Sequence, residues 1–342
     1  MINGHGDDIQ TELIANFSSN VWYGADNTGL YQHLSAMLPN LSRYPEADAY
    51  SLKVTLAGKN TVDTSQILVC NGSTEAFYLT ANAFSGKKSL IVTPTFAEYA
   101  DACRIHRHTV YQSSRHNLLE QIENHNPNLV WICNPNNPDG YCYTQSELTQ
   151  LLTDYPQITF VIDQAYMEFS TIDTNIIPKI QQFSNLIVVQ SLTKRYAIPG
   201  LRLGYIVSSQ STIEFIEQYK MPWSVNTLAI EAGKYMLEMP DNDFKLEVWL
   251  KESNTLQQQI NNLSNFNIIK SHTPYFLVKL NSGKASGLKS YLLKEQILVR
   301  DATNFEGLQG EYIRICALST ELNNLLLSNL KIWSRSIIPS SL

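Results

Sequence analysis

The sequence lacks any apolar run near the ~18–20 residues that a membrane span requires. Its first residues, MINGHGDDIQTELIANF, are polar and acidic, so they do not read as a secretory signal. There is no excess of positive charge. Lys and Arg total 25 against 31 Asp and Glu, a net charge of -6. A nucleic-acid binder normally carries a basic face, so that partner class is set aside. Nor is there a C-x-x-C pair. The five cysteines (Cys70, Cys103, Cys133, Cys142 and Cys316) are odd in number and scattered, which fits a reduced, cytoplasmic setting. Repeats, low-complexity segments, a G-x-x-x-x-G-K-[ST] loop and a G-x-G-x-x-G turn are all missing. His106 and His108 are spaced to share one strand face, but no third ligand follows at a fitting interval, so no metal is expected.

What is present is a large apolar fraction, 44% of 342 residues, enough for a substantial core and, at roughly 100–200 residues per domain, two domains. QILVC (66–70), SLIVT (89–93), LVWIC (129–133), ITFVID (158–163), NLIVVQS (185–191) and LGYIV (203–207) read as buried strands. They are short, β-branched and apolar on both faces, as parallel strands covered by helices are. Helical stretches such as 73–84 and 145–153 lie between them, implying an α/β domain. A further helix is expected over 45–60, opening near Pro45. Beyond about residue 230 come long helices (227–239, 244–263), YFLVKL (275–280), a helix (286–295), ILVR (297–300), YIRICA (312–317) and a terminal helix (320–333). That order suggests a smaller α+β domain. The expected division is an arm over 1–40, a large α/β domain over 41–235 and the small domain over 236–342.

In open α/β sheets ligands sit beyond the carboxyl ends of the strands. After Cys70 comes Asn71-Gly72-Ser73-Thr74, which opens a helix. Free N–H groups there attract an anion; Ser73 or Thr74 acting as an ordinary cap is the plainer alternative. LVWIC runs into Asn134-Pro135-Asn136-Asn137-Pro138-Asp139-Gly140, a rigid polar turn. ITFVID ends on Asp163, a carboxylate that burial makes costly unless a cation pairs with it, whether an arginine or a ligand nitrogen. NLIVVQS leads to Thr193-Lys194 and on to Arg202. A lysine past a buried strand is either an ordinary surface residue or a nucleophile toward an aldehyde. Taken together these stretches describe one site: a phosphate nest, an Asn, a buried Asp with Tyr166 three residues on, and Lys194 with Arg202 downstream. Pyridoxal phosphate requires such a set.

RYPEADAY (43–50), CNPNNPDG (133–140), DQAYMEF (163–169) and SLTKRYAIPGLRLGY (191–205) stand in the same order as in a known group. The chain resembles the fold type I pyridoxal-phosphate enzymes, in the branch of the histidinol-phosphate aminotransferases and threonine-phosphate decarboxylases, from about Gly4 to the last helix. The resemblance implies an aspartate aminotransferase-like α/β fold and a homodimer with shared active sites. It implies that Lys194 carries the cofactor covalently and shuttles the proton, and that Asp163 pairs with the ring nitrogen. Asn137 and Tyr166 would contact the ring oxygen. Gly72, Ser73, Thr74, Ser191, Thr193 and Arg202 would hold the phosphate. Phe96 would lie over the ring, and Tyr44 would reach into the neighbouring subunit. Arg314 would grip an anionic end of the substrate, with Arg300, His5 and Asn20 near it. PTFAEY (94–99), YAIPGLRLGY (196–205), MPWSVN (221–226), His5-Gly6 and ILVRDATNFEGL (297–308) lean toward the decarboxylases. The expected substrate is therefore threonine phosphate, decarboxylated to aminopropanol phosphate for cobalamin assembly. Amino transfer from histidinol phosphate to 2-oxoglutarate is the alternative. Gln164 and Asp139 depart from the family pattern, and FSSNVWYG (17–24) lacks the expected proline and is one residue short.

Overall fold

The structure is a computed structural model that describes residues 12–239 and 244–337. The chain enters through β1 (Ala15–Asn16), α1 (Thr28–Met37) and α2 (Tyr50–Asn60). It then alternates β2 (Ile67–Cys70), α3 (Gly72–Ala83), β3 (Lys88–Thr93), α4 (Glu98–Ile105), β4 (Thr109–Ser114), α5 (Leu118–His125), β5 (Leu129–Cys133), α6 (Gln145–Asp154) and β6 (Thr159–Asp163). β7 (Leu186–Ser191), β8 (Gly204–Ser208), α7 (Gln210–Glu217) and α8 (Thr227–Glu238) follow. The last part comprises α9 (Leu246–Asn261), β9 (Phe266–Ile269), β10 (Tyr275–Leu280), α10 (Ala285–Lys294), β11 (Ile297–Leu298), β12 (Arg300–Asp301), β13 (Tyr312–Cys316) and α11 (Thr320–Ile337).

Seven strands form one sheet in the order β2-β8-β7-β6-β5-β3-β4. Side chains alternate across it with period two. Val130, Ile132, Phe160, Ile162 and Val188 face one apolar layer; Leu129, Trp131, Val161, Ile187 and Val189 face the other. Burial on both sides is why these strands read as continuous apolar runs. One of them runs the other way. β8 is antiparallel to both β7 and β2, whereas the remaining pairs are parallel. A parallel return needs a crossover to the far end of the sheet. Residues 192–203 instead fold back at the carboxyl end of β7, and Leu192 N–H already bonds Leu203 C=O at 3.2 Å.

A second, antiparallel sheet has the order β12-β13-β10-β9. One face packs on α9, α10 and α11 through Leu256, Leu288, Leu326 and Trp333. β1 pairs in parallel with β11 beside it, while α1 packs on α8 through Leu30 and Ala232.

Three expectations are corrected. The helix expected from Pro45 begins at Tyr50, because Ala49 holds a left-handed conformation (φ 57°) and Glu46 Oε2 accepts from Ser51 N–H at 2.7 Å. ILVR is two short strands in different sheets, with Val299 between them. His106 ends α4 and His108 precedes β4, so they share no strand face. His108 lies in the core, bonded to Ser89 and the Ala81 carbonyl.

Candidate active site

The carboxyl ends of β2, β5, β6 and β7 open on one edge of the large sheet, with the start of β8 among them. Asp163, the last residue of β6, follows Val161 onto the sheet face covered by α3 and α4. It is 5% exposed. Burial pushes its carboxyl up to about 6. Opposing that rise are the Tyr99 hydroxyl, which donates to Oδ2, the Ala165 N–H at 2.9 Å from Oδ1, the Lys194 charge and the Cys133 thiol at 3.9 Å.

Lys194 stands in the turn after β7, its Nζ 6.0 Å from the centroid of the Tyr166 ring. Its carbonyl accepts from Trp22 N–H at 3.0 Å, which ties the N-terminal segment to the site. Burial raises the Tyr166 phenol well above its usual range, so it stays a hydroxyl; its ring meets Tyr275 edge-on at 4.9 Å. Arg314 arrives from β13 in the second sheet. Its Nη1 donates to Asn137 Oδ1 at 2.5 Å and its Nη2 to the Ser18 carbonyl. Its buried Nε has no partner. Asn20, also buried, lies near enough to Tyr166 to favour the phenolate, yet both polar atoms of its amide lack a hydrogen bond of good geometry. Buried polar atoms are nearly always paired in a finished structure, so these point to a ligand or water.

Asn71 occupies the N-cap position of α3 and its side chain makes no capping bond. Ser73 and Thr74 lie inside the helix and do not serve as the cap. The first N–H groups of α3 are thus left for an anion. Gly72 has φ +79°, and a Cβ there would stand 2.5 Å from Arg202 Nη2. A Cβ on Gly204 would stand 2.5 Å from Ser73 N and 2.8 Å from Gln190 C=O. Glycine at both positions lets the helix start, β8 and the Arg202 guanidinium close on one another. Ser191 Oγ and Thr193 Oγ1, both buried, lie 2.8 Å apart. These hydroxyls, N–H groups and guanidinium form a local cationic cradle in an acidic protein.

Phe96 is half-buried with its ring 5.8 Å from Tyr99. Arg300 is buried on β12, directly across from Arg314 on β13. Tyr44 is not drawn into this site; it is 84% exposed and rests on Trp223. His5 lies outside the described residues. Sequence reasoning missed Tyr99, Cys133 and the Ser18 carbonyl. Tyr99 carried a signal, since it stands three residues after Phe96 in the PTFAEY stretch, at the start of α4.

The arrangement offers an amine, a buried carboxylate able to pair with a cation, and an anion cradle. The family model described as aminotransferase class I and II matches residues 15–330. A threonine-phosphate decarboxylase of Salmonella typhimurium is 32% identical, covering 97% of this chain and 94% of its own length. A histidinol-phosphate aminotransferase of Thermoanaerobacter pseudethanolicus is 31% identical, covering 84% and 83%. The crystal structure of L-threonine-O-3-phosphate decarboxylase from Porphyromonas gingivalis is similar with a TM-score of 0.91 at 40% identity, covering 94% of this chain and 100% of that chain.

Proposed function

The chain belongs to the aminotransferase class I and II family, with the aspartate aminotransferase-like fold, and we propose that within it this protein is a pyridoxal-phosphate enzyme that decarboxylates L-threonine O-3-phosphate to aminopropanol phosphate. The residues fit that cofactor: an uncapped helix start, a glycine that admits Arg202, a buried carboxylate with a lone pair to spare, and unpartnered polar atoms on Asn20 and Arg314. When bound, pyridoxal phosphate supplies an aldehyde for an amine and a protonated ring nitrogen that draws electrons. Lys194 would hold it covalently and carry a proton on Nζ. Asp163 would pair with the ring nitrogen, and Asn137 and Tyr166 with the ring oxygen. Gly72, Ser73, Thr74, Ser191, Thr193 and Arg202 would take the phosphate, with Tyr44 of a second subunit, while Phe96 would cover the ring.

The observation that carries the substrate reading is the Arg300–Arg314 pair. Cross-strand neighbours point to one face, so β12 and β13 set two guanidinium groups side by side there, Arg300 steadied by Asn304 Oδ1 at 2.9 Å and Arg314 by Asn137. Bidentate guanidinium contacts suit a phosphate ester. Asn20 and His5 are read as completing that pocket. The full-length likeness to decarboxylases favours carbon dioxide loss. Transfer of the amino group of histidinol phosphate to 2-oxoglutarate is the second reading, favoured by the aminotransferase relative.

We read the product as serving cobalamin assembly and the enzyme as a cytoplasmic homodimer; five free, buried cysteines suit a reduced compartment. Residues 41–235 and 236–342 are read as its two domains, with 1–40 as an arm, in keeping with the two larger sheets and their separate cores. The deciding assay supplies threonine phosphate alone, then histidinol phosphate with 2-oxoglutarate. Carbon dioxide from the first without glutamate from the second is expected. Glutamate without carbon dioxide would move the protein to the second reading.

A further inference from the structure

Tyr99 on α4 is 1% exposed. Its ring stacks on Trp131 at 5.9 Å and 20° and meets Phe77 edge-on at 4.8 Å. Its hydroxyl donates to Asp163 Oδ2. Burial, with the Asp163 charge added, raises the phenol well above its usual value, so Tyr99 keeps its proton at every working pH.

Trp131 is itself held in place. Its Nε1–H donates to Ser89 Oγ at 3.1 Å; Ser89 Oγ lies 2.8 Å from His108 Nδ1; His108 Nε2 lies 2.8 Å from the Ala81 carbonyl. A carbonyl only accepts, so Nε2 carries the proton. Nδ1 then accepts from the Ser89 hydroxyl, whose oxygen accepts from the indole. The chain is satisfied from end to end, and a satisfied buried network is rigid. It fixes the plane against which Tyr99 lies.

Four side chains face Asp163. Tyr99 comes from α4, Cys133 from β5, Lys194 from the turn after β7 and Tyr166 from the turn after β6. Tyr99 and, more weakly, the Cys133 thiol donate to Oδ2 and the Ala165 N–H donates to Oδ1, which leaves a lone pair on Oδ1. We propose that Tyr99 is a positioning residue for the cofactor, holding Asp163 ionised and oriented for a protonated ring nitrogen. This inference rests on the pyridoxal-phosphate reading above.

Tyr99→Phe keeps the ring packing and removes the donor. The test follows the Asp163 carboxyl by carbon-13 NMR in the cofactor-free full chain labelled at aspartate, with the signal assigned through Asp163→Asn. The midpoint should rise by about one pH unit or more, the worth of a hydrogen bond to a charged group. Site-specific fluorotyrosine at position 99, a stronger donor, should lower it. Phe77→Leu, which loosens the packing but spares the bond, should leave it unchanged. The affinity for pyridoxal phosphate, read by tryptophan fluorescence against pH, should lose its acid limb at correspondingly higher pH in Tyr99→Phe. If neither change at position 99 moves the Asp163 midpoint, Tyr99 only packs, and the proposal is overturned even if affinity falls uniformly. Wild type that takes up no pyridoxal phosphate would overturn the cofactor reading, and the role with it.

Discussion

At the scale of single residues, the proposed role of Lys194 sets an amine near a carboxylate, Asp163, that burial would rather see neutral. The two demands support each other, since the Lys194 charge pulls the Asp163 carboxyl down against the effect of burial. Protein loaded with pyridoxal phosphate should be yellow, and borohydride should bleach it and leave the cofactor's mass on the peptide containing Lys194. Lys194→Ala should retain no reduction-stable label. A label on another lysine would remove Lys194 from its role. Two of the three departures from the family pattern, Asp139 and Gln164, have local explanations. Asp139 accepts from Arg115 Nη1 at 2.7 Å and from Asn136 Nδ2 at 2.7 Å, bracing the turn that places Asn137. Gln164 donates from Nε2 to the Thr174 carbonyl, inside the fold.

Among the elements, α3 meets β8 at Gly204, beside the proposed phosphate cradle. The backbone atoms around Gly204 leave no room for a methyl group, and none belongs to a flexible side chain end. Gly204→Ala should therefore push α3 away from β7 and β8. We expect a stability loss of about 1–3 kcal/mol, the usual cost of overpacking, read by denaturant unfolding. Pyridoxal phosphate affinity should fall by more than the stability loss alone explains. Unchanged affinity in a folded Gly204→Ala protein would separate this junction from phosphate binding. The capping box that opens α6, Thr144 with Glu147, has no such tie to the site and illustrates the difference.

At the scale of the whole molecule, Leu38, Leu41 and Tyr44 are exposed apolar residues close in the chain, and Tyr44 rests on the half-exposed Trp223. Patches of this kind commonly mark an interface, and two-fold pairing is the commonest assembly. If Tyr44 completes a neighbour's phosphate cradle, mixing Lys194→Ala with Tyr44→Phe subunits should restore one wild-type-like site per heterodimer. Turnover should then exceed that of either homodimer. A monomer by light scattering at working concentration would rule this out.

The sequence by itself determined the strands and the turns at their carboxyl ends. Period-two burial and punctuation by Gly, Pro and Asn are local signals, and Lys194, Asp163 and Asn137 lie within them. What only the tertiary structure decided depends on residues far apart in the chain. β8 reverses because its connection folds back at one edge of the sheet, and the helix begins at Tyr50 because Ala49 is left-handed there. Arg300 faces Arg314 only through strand register, and Arg314 meets Asn137 across 177 positions. Tyr99 gains its meaning from Asp163, 64 residues away, because packing on Trp131 aims its hydroxyl at a carboxylate on the neighbouring layer.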